Sequence, residues 1–185
     1  MDFLSLLLLA VAALVIGIWL YIARQGDAAF DFIVDQRTEF QLDELDKDTA
    51  VFSCKIPFVN KGTQDGTIMD LYPRHLMPKE YYDKLDIRSR ITLESNPRED
   101  GYWEAIIVFK TTGDAIILTL SMTAKEGGIR EAIKGLPDMP VDIVYQVVAR
   151  SDWYITKARM LVPSAELQQA LNNSANSSQT VQGGK

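Results

Sequence analysis

From Phe3 to Ala23 the chain reads FLSLLLLAVAALVIGIWLYIA, an apolar run whose polar side chains are Ser5 and the Trp19 and Tyr21 pair near one end. As a helix rising ~1.5 Å per residue it spans ~30 Å, the hydrocarbon thickness of a bilayer. The pattern therefore predicts a transmembrane helix over residues 1–24. Gly26 loosens it, and DAAFDFIVDQR follows as a juxtamembrane linker over 25–37, a stalk leading the chain onto its first strand.

From Thr38 onward the period changes to two. The alternation is clearest in TAVFSCKIPFVN, where Phe52, Cys54, Ile56 and Phe58 fall on one face of a half-buried strand. Before it, TEFQLDEL sets Phe40 and Leu42 on one side, and the acidic DELDKD turns the chain. After it, NKGTQDG offers two glycines for left-handed backbone angles, and TIMDLY resumes the extended pattern. Pro73 and Pro78 then break the rhythm, so PRHLMPKEYYDKLD reads as a long crossover loop.

Extended patterns return in DIRSRITLES, with Ile87, Ile91 and Leu93 inward and Arg88, Arg90 and Glu94 outward. The stretch GYWEAIIVFKTTGDAIILTLSMTA divides at TTGD into two strands, which predicts a hairpin turning at Gly113 with a positive φ. EGGIREAIKGLPDMP holds a short helix stopped by Gly135 and Pro137. Strands VDIVYQVVAR and WYITKARMLV follow around a Ser151-Asp152 turn. Pro163 opens a brief helix, SAELQQALNN, and residues 164–185 are a short helix with a polar tail too poor in apolar groups to offset its ordering entropy, hence disordered.

The fold class that follows is mainly β: an N-terminal transmembrane helix, then an antiparallel β-sandwich of about seven to eight strands over 38–163, with one or two short helices and a disordered C-terminal tail. Within this frame FSCKIPFVNKGTQDGTIMDLY resembles immunoglobulin-like and late-embryogenesis-abundant-type sandwiches, in which a strand ends at an Asn-x-Gly turn before a second strand. The resemblance implies the sandwich and carries no catalytic residue with it. Cys54 is the single cysteine, so the disulfide packed on tryptophan that marks many immunoglobulin domains is absent.

The 185 residues carry a net charge of −6, with no basic stripe. Phosphate contacts need concentrated positive charge, so no nucleic-acid partner is expected. A cleaved signal peptide competes with the anchor, but MD before the run lacks Lys and Arg, the run exceeds a usual h-region, and no A-x-A site is well placed after it. The expected bilayer contacts are Phe3, Leu4, Leu9, Val15, Trp19, Tyr21 and Arg24, making the chain a single-pass membrane protein. Arg24 and Arg37 follow the run and no basic residue precedes it, which favours the domain on the cytoplasmic side.

Chemistry is scarce. His75 is the only histidine, and RHLMP sets no ligand or nucleophile at useful spacing, so zinc sites and histidine-based triads are not expected. Cys54 sits in the apolar row and reads as a small hydrophobe. Asp43, Glu44, Asp46 and Asp48 lack the glycine and terminal glutamate of a calcium loop and read as a solvated turn. No catalytic residue, metal or cofactor is assigned, and an enzyme is not expected. The function expected instead is a non-catalytic binding, accessory or assembly module of a membrane complex, using His75, Leu76, Met77, Tyr81 and Tyr82 of the long loop with Trp103, Trp153 and Tyr154 at strand starts to hold a protein partner. The rival is a tethered carrier of a lipid or other apolar ligand.

Overall fold

The computed structural model describes residues 3–182, with side chains described as far as Asn173. The apolar run forms α1 (Phe3–Arg24), and none of its residues is buried. It is long and apolar enough to cross a membrane, a property that a secretory signal sequence shares.

Nine strands follow among the described residues: β1 (Phe30–Phe32), β2 (Gln41–Leu45), β3 (Thr49–Asn60), β4 (Gly66–His75), β5 (Leu85–Leu93), β6 (Ile106–Val108), β7 (Gly113–Ala124), β8 (Met139–Val148) and β9 (Tyr154–Val162). They make two antiparallel sheets. In the first, β1 and β2 share one edge of β3, and β7 and β5 follow on its other side; the second runs β6-β4-β8-β9. A short helix α2 (Ile129–Lys134), a longer α3 (Ser164–Gln182) and one-turn helices at Val34–Gln36 and Lys79–Asp83 complete the described elements.

Alternation explains the core. Phe52, Cys54 and Ile56 on β3 stand opposite Leu120, Leu118 and Ile116 on β7, and all six are buried. Facing them from the second sheet are Ile68, Val141, Ile143, Val147 and Val162, each fully buried. At about 1.5–3 kcal/mol per buried large aliphatic or aromatic side chain, this layer is the main source of stability. Burial pushes the Cys54 thiol up to about 12, so it packs as a hydrophobe and does not ionise near neutral pH.

Several expectations need correction. Residues 25–37 are not linker throughout, because Phe30–Phe32 pair with Phe58–Asn60 and Phe32 is buried against Phe58 and Tyr145. The long loop begins later than the prolines suggest, since β4 runs through Pro73 to His75. The TTGD segment makes no hairpin: β6 pairs with β4, whereas β7 pairs with β3 and β5, so the chain crosses between sheets there. Gly113 is needed for close approach, as a Cβ would lie 2.2 Å from the Phe58 carbonyl oxygen, and the positive φ falls on Thr111 instead. Gly62 likewise serves proximity, a Cβ there lying 2.2 Å from the Asp27 carbonyl oxygen. Helix α3 extends past the brief helix expected after Pro163, to Gln182. The expected disorder of the tail concerns side chains after Asn173 and residues 183–185, which lie outside the described residues.

Two polar knots tie the sandwich to its flanking segments. Asn60, fully buried, accepts hydrogen bonds from Ala29 N–H (3.1 Å) and Gly62 N–H (3.0 Å) and donates to the carbonyls of Gln64 (2.9 Å) and Val108 (3.1 Å). It thereby joins the end of β3 to both flanking loops and to β6 of the other sheet. Beside the middle of β3, where Thr38 bonds Lys55, Glu166 of α3 accepts a two-pronged bond from Arg37 (2.8 and 2.6 Å) and a third from Phe40 N–H (2.6 Å). That pair latches α3 onto the first sheet.

Candidate functional site

Each sheet has an outer face, and the two faces differ. Large apolar side chains exposed on strands are Leu45, Met69, Tyr72, Ile107, Val148, Tyr154, Ile155 and Leu161, and seven of these eight lie in the second sheet. Register explains their grouping. On β8 the side chains of Val141, Ile143, Tyr145 and Val147 point inward, so Asp142, Val144, Gln146 and Val148 point out. Their neighbours on the same face are Arg74, Tyr72 and Thr67 of β4 and Arg159, Lys157 and Ile155 of β9. Ile107 of β6 stands beside Thr67 and extends the apolar part.

At the middle of this face Asp142 is covered by cations. Its carboxylate accepts from Lys157 Nζ at 2.6 Å, from Arg159 Nε at 2.7 Å and from Arg159 Nη2 at 3.1 Å. The bond from Arg159, then that from Lys157, holds the carboxyl well below the usual carboxylate range. Arg74 lies across the strand pair from Asp142 and is exposed, with no ion pair among the described residues. Two cations thus bind one carboxylate while a third, Arg74, stands across the strand pair from it, and both Lys157 and Arg159 remain half exposed. The only other acid on the exposed stretch of β4 is Asp70, at the bulge. The result is a flat apolar surface bordered by a positive cluster, which suits a partner bearing apolar and acidic groups.

The residues expected at a binding site do not converge. His75 ends β4 and points inward beside Val141; Leu76 continues the ladder through Pro140, and Met77 is buried. Tyr81 and Tyr82 sit on the one-turn helix Lys79–Asp83 and pack against the core, with the Tyr82 carbonyl accepting from Lys125. Trp103 is a core residue whose indole N–H donates to the Ile68 carbonyl at the β4 bulge (3.2 Å). Trp153 and Tyr154 are exposed, but at the far end of the second sheet. Seven strand positions of β8 separate Val141 beside His75 from Val148 near Trp153, about 25 Å at the rise of a strand. The candidate face gathers Tyr72, Arg74, Ile155, Lys157 and Arg159 instead, which residue type alone does not mark. Their signal is visible in YITKARMLV, where Ile155, Lys157, Arg159 and Leu161 share one face.

A groove of about 680 Å³ opens between β9, α3 and the segment Val34–Phe40. Its charged lining comprises Asp35, Glu39 and Arg159 with the Arg37–Glu166 pair, in which both oxygens of Glu166 are already engaged. The groove therefore presents a structural latch. The bidentate bond raises the Arg37 pKa and lowers that of Glu166. Among the described residues no group of His, Cys, Asp and Glu side chains is placed to hold a metal ion.

No family model matches the chain. No curated protein matches it in sequence. Among solved structures it is similar to the GAE domain of GGA2p from Saccharomyces cerevisiae, at 12% identity and TM-score 0.36, over 74% of this chain and 98% of that one. It is similar also to a FixG-related protein from Vibrio parahaemolyticus, at 12% identity and TM-score 0.36, over 74% of this chain and 94% of that one. The two-sheet architecture itself stands on the strand pairing above.

Proposed function

We propose that this chain is a membrane-tethered, non-catalytic binding module whose working surface is the outer face of the second sheet. The carrying observation is the concentration of exposed strand-borne apolar residues on that one sheet, with Tyr72, Ile107, Val148, Ile155 and Leu161 on its outer face beside Arg74, Lys157 and Arg159. An exposed apolar surface of this kind costs solubility unless something covers it. The cations define what covers it: a protein segment with apolar and acidic side chains. Tethering by α1 keeps the search for that partner at the bilayer, and Arg24 and Arg37 favour the cytoplasmic side. A reporter fused at Lys185 and active on one side only tests the sidedness.

The test of the surface is site-specific photo-crosslinking of the full chain in its native membrane. A crosslinker at Tyr72 should trap one partner, Arg74→Glu should abolish the adduct, and a crosslinker at Thr119 on the first sheet should trap none. Equal yields at the two positions, or an adduct indifferent to Arg74→Glu, would refute the assignment. The carrier reading draws on the two clefts of about 210 and 320 Å³ beside β6, whose linings include Trp103 and Phe58. A lipid mass retained in native mass spectrometry would favour it.

A further inference from the structure

The sandwich meets α1 through the tip of the β8–β9 hairpin. Arg150 donates through Nη2 to the Ile22 carbonyl at 2.7 Å and through Nη1 to the Gln25 carbonyl, so its guanidinium caps the last turn of α1. Asp27, just after the helix, accepts in turn from Arg150 N–H (3.1 Å), Ser151 N–H (3.1 Å) and the Ser151 hydroxyl. Its backbone carbonyl accepts from Thr63 N–H at 3.0 Å. Helix end and hairpin tip are therefore one hydrogen-bonded unit.

This fixes a height. If Phe3–Ala23 fills the hydrocarbon layer, Ile22 stands at its boundary, and a guanidinium bonded there lies at the base of the headgroup layer. Trp153 is three residues from Arg150, at most ~10 Å along the chain, and is 62% exposed. Tyr154 and Ile155 beside it are exposed too. Tryptophan prefers the membrane interface, and an arginine can keep its charge at the phosphates while its stem lies lower.

We propose that the β8–β9 tip is a second membrane contact, with Trp153 seated among the lipid headgroups and the sandwich held at a fixed height on the bilayer. The inference rests on reading α1 as an inserted anchor. The partner is the lipid interface itself. The tip carries Asp152 as well as Arg150, and the chain is acidic as a whole, so the contact does not depend on anionic lipid.

Tryptophan quenching in proteoliposomes of the full chain tests this. The lipid is phosphatidylcholine, part of it brominated on the acyl chains close to the glycerol. Trp103 is buried in the core, and the Trp19→Phe, Trp153→Phe double variant supplies its baseline. In Trp19→Phe the emission of Trp153 should be quenched to an extent comparable with that of Trp19 in Trp153→Phe, and adding phosphatidylglycerol should leave both unchanged. Quenching of Trp19 without quenching of Trp153 would overturn the second contact and leave the anchor standing. Quenching of neither would remove the anchor, and the contact with it.

Discussion

On the outer face of the first sheet the strands present Ser53, Lys55, Thr119 and Ser121, whereas that of the second presents Tyr72, Ile107, Val148 and Ile155. In the first, Ser53 pairs with Thr119, Thr119 with Arg90, and Ser121 with Arg88; Lys55 reaches Glu94 in an ion pair. Short hydroxyls and long charged stems cover that sheet from within its own strands. The second sheet gathers its cations around Asp142 and leaves Tyr72, Val148 and Ile155 exposed on the same face. A face shaped only for solubility has no use for Tyr72 or Ile155 in those positions. The difference between the sheets teaches that alternation alone builds both inner rows, while the composition of the outer rows reports what each face meets.

The largest effects should come from the inner rows, and there the sheets should behave alike. Leu118→Ala in β7 and Ile143→Ala in β8 each empty a fully buried site, and each should cost about 2–5 kcal/mol in denaturant unfolding. A much smaller cost for Ile143→Ala would mean that the second sheet yields readily, which is what a carrier that splays its sheets requires. The outer rows should then separate the two. Tyr72→Ala and Arg74→Glu should each weaken partner binding by about 2 kcal/mol or more while shifting stability by less than about 0.5 kcal/mol. Thr119→Glu should leave affinity unchanged. Binding isotherms with the trapped partner provide the measurement.

The inner rows were legible in the sequence because period two survives in Phe52, Cys54, Ile56 and Phe58 and in Ile87 and Ile91. The pairing was not. TTGD between two apolar runs satisfies every local rule for a hairpin, and only long-range pairing of β6 with β4 sends the chain to the other sheet. Phe30–Phe32 is too short for periodicity to detect, yet Phe32 is held by Phe58 and Tyr145. Pro73 breaks the pattern in the sequence, but β6 pairs β4 only over Gly66–Ile68, so Pro73 lies where β4 lacks a neighbour on that side and a missing N–H is tolerated. Trp153 and Tyr154, at the end of the second sheet, stand out by residue type. Tyr72 and Arg74, on its outer face, do not, since alternation defines two faces without saying which one another layer covers.

A smaller effect probes the Arg37–Glu166 latch that holds α3 on the first sheet. Glu166→Gln keeps the shape but removes the charge and turns one accepting oxygen into an amide nitrogen that faces a donor, and the fold should lose about 1–2 kcal/mol. Because the bond to Arg37 lowers the Glu166 pKa, the wild-type contribution is present above the ordinary glutamate range and disappears as pH falls through the folded value. Glu166→Gln should flatten that acid limb while leaving binding at Tyr72 and Arg74 intact. Loss of binding in this variant would show that α3 also shapes the working face.

The smallest effect lies on the inner side of the second sheet, at His75. Its Nε2 is buried without a hydrogen-bond partner, and burial lowers its pKa below 6.5. In the unfolded chain the imidazole takes up a proton near its ordinary value, so below that pH the unfolded state binds more protons than the folded one. Stability should therefore be unaffected by His75 above pH 6.5, decline as pH falls below it, and level off once the folded imidazole is itself protonated. Down to about pH 5 this slope precedes the reprotonation of ordinary carboxylates. His75→Phe removes the titrating group from the inner row and should erase the slope in thermal or denaturant unfolding between those limits. The first sheet has no histidine in its inner row, so the slope belongs to the second sheet; its persistence in His75→Phe would assign the titration to another group and leave the inner rows of the two sheets equivalent.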